Sequence, residues 1–213
     1  MPNYNFMISD GGRNTVIDYI KERKSMGKFS VIDFGGSANN WCSSLCDAIV
    51  DFNTAQGLHE NTIFFNMDIT HPDSYSDLEA YVSKNGKFDF SICTHTLEDI
   101  MNPGFVIEKI CKLSSEGYIA VPSKHREMSR FEGKYRGYIH HRWIFDNHDG
   151  VFTGYPKINY IELQDKFDTI ADQNINKFDL SFFWKDSIDF KYINNNYLGP
   201  SVYEVMSYYD RLL

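Results

Sequence analysis

The 213 residues are 42% hydrophobic and 23% charged, enough to bury one full core and too apolar for extended disorder. Twenty-one basic residues against 29 acidic ones leave a net charge of −8, which sets the surface as a whole against nucleic acid and anionic membranes. No apolar run approaches the roughly 20 residues of a membrane span. The opening MPNYNFMISDGG lacks the basic-then-apolar pattern of a secretory signal. Four cysteines (Cys42, Cys46, Cys93, Cys111) are too few for a disulfide scaffold, so reduced thiols and a cytoplasmic location are expected.

In chain order, Thr15 to Lys24 sets Val16, Ile17, Tyr19 and Ile20 on one helical face. Short runs of strand formers follow at Phe29–Phe34, Ala48–Val50 and Thr62–Asn66. Ser74 to Lys84 reads as a helix capped by Asp73 or Ser74 and stopped by Gly86. Phe88–Thr94 is a fourth strand. Asn102-Pro103 opens another helix, because asparagine suits the cap and proline the first turn. Gly117–Val121 is a fifth strand, stopped by Pro122. Strands alternating with helices predict an α/β fold with a mostly parallel sheet covered on both faces. Residues 123 to 150 are polar, aromatic and without clear period, an insertion after the fifth strand. From about Tyr155 the segments KINYIEL, LSFFWK and IDFKYI read as strands of an antiparallel C-terminal edge. The whole chain, 1–213, reads as one domain: a half at about 14–122, the insertion, and C-terminal strands at about 155–213.

In an open parallel sheet, ligands bind beyond the carboxyl ends of the strands. The loop after the first strand reads Asp33-Phe34-Gly35-Gly36-Ser37-Ala38-Asn39-Asn40, where the glycine pair lets backbone approach a ligand. Asp51 and Asp68 stand at the ends of the next two strands, placed to accept hydrogen bonds from ribose hydroxyls and an exocyclic amine. The stretch Phe88-Asp89 … Thr94-His95-Thr96-Leu97-Glu98-Asp99 … Pro103, followed by Gly117 … Val121-Pro122, resembles the class I S-adenosylmethionine-dependent methyltransferases, in the branch with an FD…H.LE…P fourth-strand motif. With the Asp33-x-Gly35 loop, the resemblance covers about residues 29 to 123. It implies a Rossmann-like fold with a seven-stranded sheet and S-adenosylmethionine as cofactor. It further implies Asp33, Gly35, Gly36 and Ser37 around the methionine part, Asp51 on the ribose, Asp68 with Ile69 on the adenine, and Thr94 with His95 near the sulfonium. Two departures stand out. Ser37 and Asn39 occupy places where the family carries glycines, so Asn39, Asn40 or Trp41 become candidates to hold the methionine end. The span from Asp33 to Asp51 also leaves room for only an abbreviated helix.

The insertion carries six basic residues between Lys124 and Arg142 against Glu127 and Glu132, a local charge of +4. Arginines over the cofactor pocket suit phosphate or carboxylate, so Lys124, Arg126, Arg136 and Arg142 are candidate substrate contacts, with Arg130 at the same entrance. A small anionic acceptor is expected, with no nucleic acid partner, and a homodimer is left open. Methyl transfer to a hydroxyl needs a proton acceptor; His141 leads the candidates, with His140 and His95 beside it. If residues 138–145 are extended, adjacent side chains alternate, and one of His140 and His141 faces the pocket. His140 and His141 with Asp146, His148 and Asp149 match no strong metal spacing, and Cys42-x-x-x-Cys46 reads as two buried thiols, so no metal is expected. The expected activity is O-methylation of a small anionic metabolite or a sugar- or phosphate-linked intermediate, as in surface-polysaccharide biosynthesis. A non-catalytic binding protein of the same fold is the alternative, and a dehydrogenase is disfavoured by the His95-x-Leu97-Glu98 motif.

Overall fold

The computed structural model describes residues 5–9, 12–53, 56–131, 133–171, 178–193 and 202–213. The elements are β1 (Met7–Ser9), α1 (Arg13–Met26), β2 (Val31–Phe34), β3 (Ala48–Asp51), β4 (Ile63–Asn66), α2 (Ser76–Asn85), β5 (Phe88–Thr94), α3 (Pro103–Leu113), β6 (Ser114–Pro122), α4 (Lys124–Met128), β7 (Trp143–His148), β8 (Val151–Pro156), α5 (Asp168–Ala171), β9 (Asp179–Lys185), β10 (Phe190–Tyr192) and α6 (Val202–Tyr209). Among the described residues, seven strands form one sheet in the order β1-β9-β6-β5-β2-β3-β4, and three form a second in the order β10-β8-β7.

Period-2 alternation sorts the strand residues between two layers. Ile32, Phe34, Ala48 and Val50 pack on one face with Leu78 of α2 and Val106, Ile110 and Leu113 of α3. Val31, Ile49 and Ile92 pack on the other with Val16 and Ile20 of α1. The α3 start is as predicted: Pro103 opens it, and the Asn102 side chain accepts from the Phe105 amide at 3.2 Å. Helix α2 begins later than predicted. Pro72–Tyr75 form a 3-10 turn, and the Ser74 hydroxyl is spent on the His71 carbonyl at 2.7 Å. Gly86, at φ +86°, ends α2.

Strands β2 to β6 run parallel, and β9 lies antiparallel beside β6. LSFFWK thus supplies the antiparallel strand, but the outermost position belongs to β1, which pairs Met7 with Ser181, and IDFKYI forms β10, which runs parallel to β8 in the second sheet rather than at this edge. Between β2 and β3 no α-helix forms among the described residues; turns and the 3-10 segment Ser43–Leu45 bridge the gap, packed near α1.

The insertion is more ordered than its lack of period implies. It holds α4 and the hairpin β7–β8, whose two-residue turn Asp149-Gly150 has both φ angles positive (51° and 84°), the conformation that suits a hairpin's twist. Trp143, Phe145 and Phe152 face the main core, while Ile144 and Tyr155 face a third cluster with Met128, Phe167 and Tyr209. KINYIEL is not a strand. Asn159–Leu163 form a 3-10 segment, and the Ile161 and Gln164 carbonyls accept from the Arg136 guanidinium.

Candidate active site

Strand order reverses between β2 and β5: from β2 the chain builds outward to β4, then returns to lay β5 on the other side. Such a switch point leaves a crevice at the carboxyl ends of the strands. A cavity of about 400 Å3, the larger of two that meet at His95, lies there, lined by Gly35 after β2, Val50–Phe52 at the end of β3, Met67–Thr70 after β4, His95 and Thr96 after β5, Asp99–Met101, and Arg142 from the insertion. That volume lies within the usual range for small-molecule and cofactor sites.

The glycine pair is fixed by close approach. Gly35 has φ +77°, and a Cβ there would lie 2.3 Å from the Thr96 Oγ1. A Cβ on Gly36 would lie 2.0 Å from Asp33 Oδ2. Asp33 itself is buried and accepts from the Asn40 side-chain amide at 2.6 Å and the Cys42 thiol at 3.4 Å. Burial pushes its pKa up to about 6, against the pull of those two donors. Asp33 and Asn40 thus hold the loop in shape from behind; Asp33 is outside the lining of the large cavity.

Of the other predicted cofactor contacts, Asp51, Asp68, Ile69 and His95 line this cavity. Asp51 also borders an adjoining recess of about 220 Å3 walled by Gly36, Ser37 and Asn39. The Asp51 Oδ1 accepts from the Asn53 amide at 2.7 Å. Asp68 Oδ1 accepts from the Thr70 hydroxyl and amide at 2.7 and 2.8 Å, which hold its carboxyl below the usual range. Trp41 lies elsewhere: its ring packs on the α1 side of the sheet, 5.8 Å from the Arg13 guanidinium. Thr94 ends β5 beside Ala120, and its carbonyl accepts from the Thr96 hydroxyl at 3.1 Å.

His95 sits at φ +50° between two carboxylates, with Nδ1 3.4 Å from Glu98 Oε1 and Nε2 3.2 Å from Asp179 Oδ1. Burial disfavours its charge, but the two carboxylates outweigh that and push its pKa up to about 10. With a carboxylate facing each ring nitrogen, His95 is placed to hold a proton rather than to take one from an acceptor. It instead borders both the large cavity and a second one of about 280 Å3, whose other walls are Arg13, Pro122, Arg126, Tyr138, Phe178 and Asp179.

The basic entrance shrinks to two of its four predicted arginines. Arg126 lines the second cavity, its guanidinium 3.3 Å from the Phe131 ring centre and 3.1 Å from the Tyr138 hydroxyl to which it donates. Arg142 lines the large cavity. Arg136 is fully buried: it donates to the carbonyls of Met128, Ile161 and Gln164 and lies 2.7 Å from Asp168 Oδ1. Arg130 pairs with Glu162 at 3.0 Å, and Lys124 with Asp146 at 3.0 Å. Neither these two nor Arg136 lines either cavity; they hold the insertion together.

His140 and His141 do not lie on an extended strand; the chain turns there. The His140 side chain is 63% exposed, and that of His141 is buried at 6%. Each Nε2 is 3.7 Å from Asp99 Oδ1, and His141 Nδ1 is 2.6 Å from Glu127 Oε1. Both nitrogens of His141 thus face carboxylates. Asp99, brought in from the loop after β5, Arg13 and Asp179 were not among the predicted site residues. Asp99 stood beside the quoted motif, whereas nothing local to Arg13 or Asp179 announces a site.

No protein-family model and no curated protein matches the chain. Solved structures do resemble it at low identity. The plantazolicin methyltransferase BpumL, in complex with a triazolic desmethylPZN analog and SAH, is 11% identical over 83% of each chain, with a TM-score of 0.48. Magnesium protoporphyrin IX methyltransferase (ChlM) from Synechocystis PCC 6803 with bound SAH is 10% identical over 82% of this chain and 81% of that one, TM-score 0.45. The N-terminal domain of EvdMO1 with SAH and D-fucose is 10% identical over 79% and 81%, TM-score 0.43. The strand order around the β2–β5 switch, the antiparallel β9 inserted beside β6, and helices on both faces make this a Rossmann-like α/β fold.

Proposed function

We propose that this chain is an S-adenosylmethionine-dependent methyltransferase acting on an oxygen of a small anionic acceptor, of the kind found on sugar- or phosphate-linked intermediates. The observation that carries the reading is the cavity at the strand switch, with Gly35 pressed on Thr96 and a carboxylate at the end of β3 and just beyond β4. The residues present fit the cofactor. Asp51 would accept from the ribose hydroxyls, Asp68 from the adenine amine above Met67 and Ile69, and Gly35, Gly36, Ser37 and Asn39 would give backbone room to the methionine part. S-adenosylmethionine, when bound, supplies a methyl group already activated on a charged sulfur, so the protein's task is alignment and charge placement. The second cavity would take the acceptor, with Arg13, Arg126 and protonated His95 facing its anionic group. Proton removal from a hydroxyl acceptor falls to the Asp99–His140–His141 cluster at the rim of the large cavity. The four free thiols agree with work in the reducing cytoplasm.

Calorimetry with S-adenosylhomocysteine tests the cofactor assignment. The parent protein should bind it, and Asp51→Ala should weaken binding by about 1–3 kcal/mol, since the ribose hydroxyls lose their acceptor. Parent protein that shows no binding heat, or Asp51→Ala binding as tightly as the parent, removes the assignment. A screen of phosphorylated and nucleotide-linked sugars, read by homocysteine release, then identifies the acceptor class.

A further inference from the structure

We propose that Asp99, His140 and His141 form a binding site for a divalent transition-metal ion at the rim of the large cavity. Their ligand atoms all lie within 4.8 Å of one another, with Asp99 Oδ1 3.7 Å from each histidine Nε2. Ligands held about 2.1 Å from one tetrahedral ion are about 3.4 Å apart, so each Asp99–histidine pair closes by a few tenths of an ångström and the two histidine nitrogens by about 1.4 Å at most. The exposed side chains of Asp99 and His140 leave room for that movement.

The buried partner of His141 supplies the second argument. Its Nδ1 lies 2.6 Å from Glu127 Oε1, and Glu127 is itself fully buried and held on Oε2 by the Lys157 ammonium at 2.6 Å. Gly137, at φ +58°, makes room for that carboxylate; a Cβ there would lie 2.4 Å from Glu127 Oε2. A carboxylate fixed on one imidazole nitrogen orients the ring and leaves the other nitrogen to ligate, an arrangement that metal-binding histidines almost always show.

Two imidazole nitrogens and one carboxylate oxygen suit zinc, cobalt, nickel or ferrous iron; magnesium and calcium prefer all-oxygen ligands. Three protein ligands leave a coordination position for water or an acceptor oxygen, and Asp99 is part of the cavity wall. Sequence alone grouped the histidines with Asp146, His148 and Asp149. The fold supplies Asp99 instead, and commits Asp146 to Lys124. A metal-bound acceptor hydroxyl loses its proton more readily, so the ion would do the work otherwise asked of a base; this role rests on the methyltransferase reading, whereas the site does not.

The test is titration of chelator-stripped full-length protein with Co2+, with no cofactor or acceptor present, followed by visible absorption and calorimetry. One Co2+ per chain is expected, displaced by Zn2+ and not by Mg2+. Asp99→Asn and His140→Ala, both at exposed side chains, should each weaken Co2+ binding at least tenfold while leaving the circular dichroism spectrum unchanged. Absence of Co2+ binding by the parent protein, or binding undiminished in both variants, overturns the proposal. S-adenosylhomocysteine binding measured on the same stripped protein separates the two readings. If it persists without Co2+ binding, only the metal site fails; if it is lost while Co2+ binds, only the methyltransferase reading fails.

Discussion

His95 takes its surroundings from residues far apart along the chain. Its place after β5, at the meeting of two cavities, follows from the motif around it. Its charge follows from Glu98 and Asp179, the second of which lies 84 residues downstream and reaches it only through the β6–β9 pairing. Because its folded pKa is raised to about 10 from an ordinary 6.5, its contribution to stability is complete below about pH 6.5 and is lost as pH rises through 10. Nuclear magnetic resonance of the imidazole nitrogens should show both protonated at pH 8. A His95 ring that titrates near 6.5 would break this account. The thermal midpoint of the parent protein should also fall more steeply between pH 7 and 10 than that of His95→Gln. Gly36 is the other residue on which the site turns. Gly36→Ala drives a methyl group into the buried Asp33 carboxylate, so it should lower both the thermal midpoint and the affinity for S-adenosylhomocysteine. Retention of both values would mean that the loop has slack that the structure does not show.

At the scale of elements, the regular β-α units were legible because their signals are local. Strand β5 runs from Phe88 to Thr94 as its run of strand formers predicts, and α3 begins at the Asn102-Pro103 cap. The insertion was not legible, because its order comes from long-range polar contacts. Arg136 is the clearest case: its guanidinium satisfies carbonyls from α4 and from the 3-10 segment after β8, which no periodicity reports. Arg136→Met should therefore destabilise the protein while leaving an intact cofactor cavity. Each buried acceptor left unpaired costs about 1–3 kcal/mol, and three carbonyls lose a donor, so a drop of at least about 2 kcal/mol is expected in a denaturant titration. An unchanged midpoint would return Arg136 to the list of ligand contacts.

Across the whole molecule, an acidic protein keeps a few cations where two cavities meet. Three cations of the insertion are spent on carboxylates, Lys124 on Asp146 within it and Arg130 and Arg136 on Glu162 and Asp168 beyond β8, leaving Arg126 and Arg142 at cavity walls and Arg13 arriving from α1. Exposed charges are screened over about 8 Å at physiological salt, so the Michaelis constant for an anionic acceptor should rise with ionic strength. Arg126→Gln should flatten that dependence, and a neutral, salt-insensitive acceptor would remove the idea.

The sequence by itself determined the α/β class, the strand and helix sequence from α1 through β6, the glycine pair and the strand-end acids. These depend on side-chain period, capping and backbone freedom, all of which act within a few residues. Only the tertiary structure decided that β1 would form the sheet's edge, that Arg136 would be a buried pin, and that Asp99 rather than Asp146 would meet His140 and His141. It likewise decided that His95 would sit between Glu98 and Asp179. Each of these depends on which distant carboxylate or carbonyl arrives within about 4 Å, and at that range an opposite charge or a hydrogen bond decides whether an ionisable side chain is buried, paired or free.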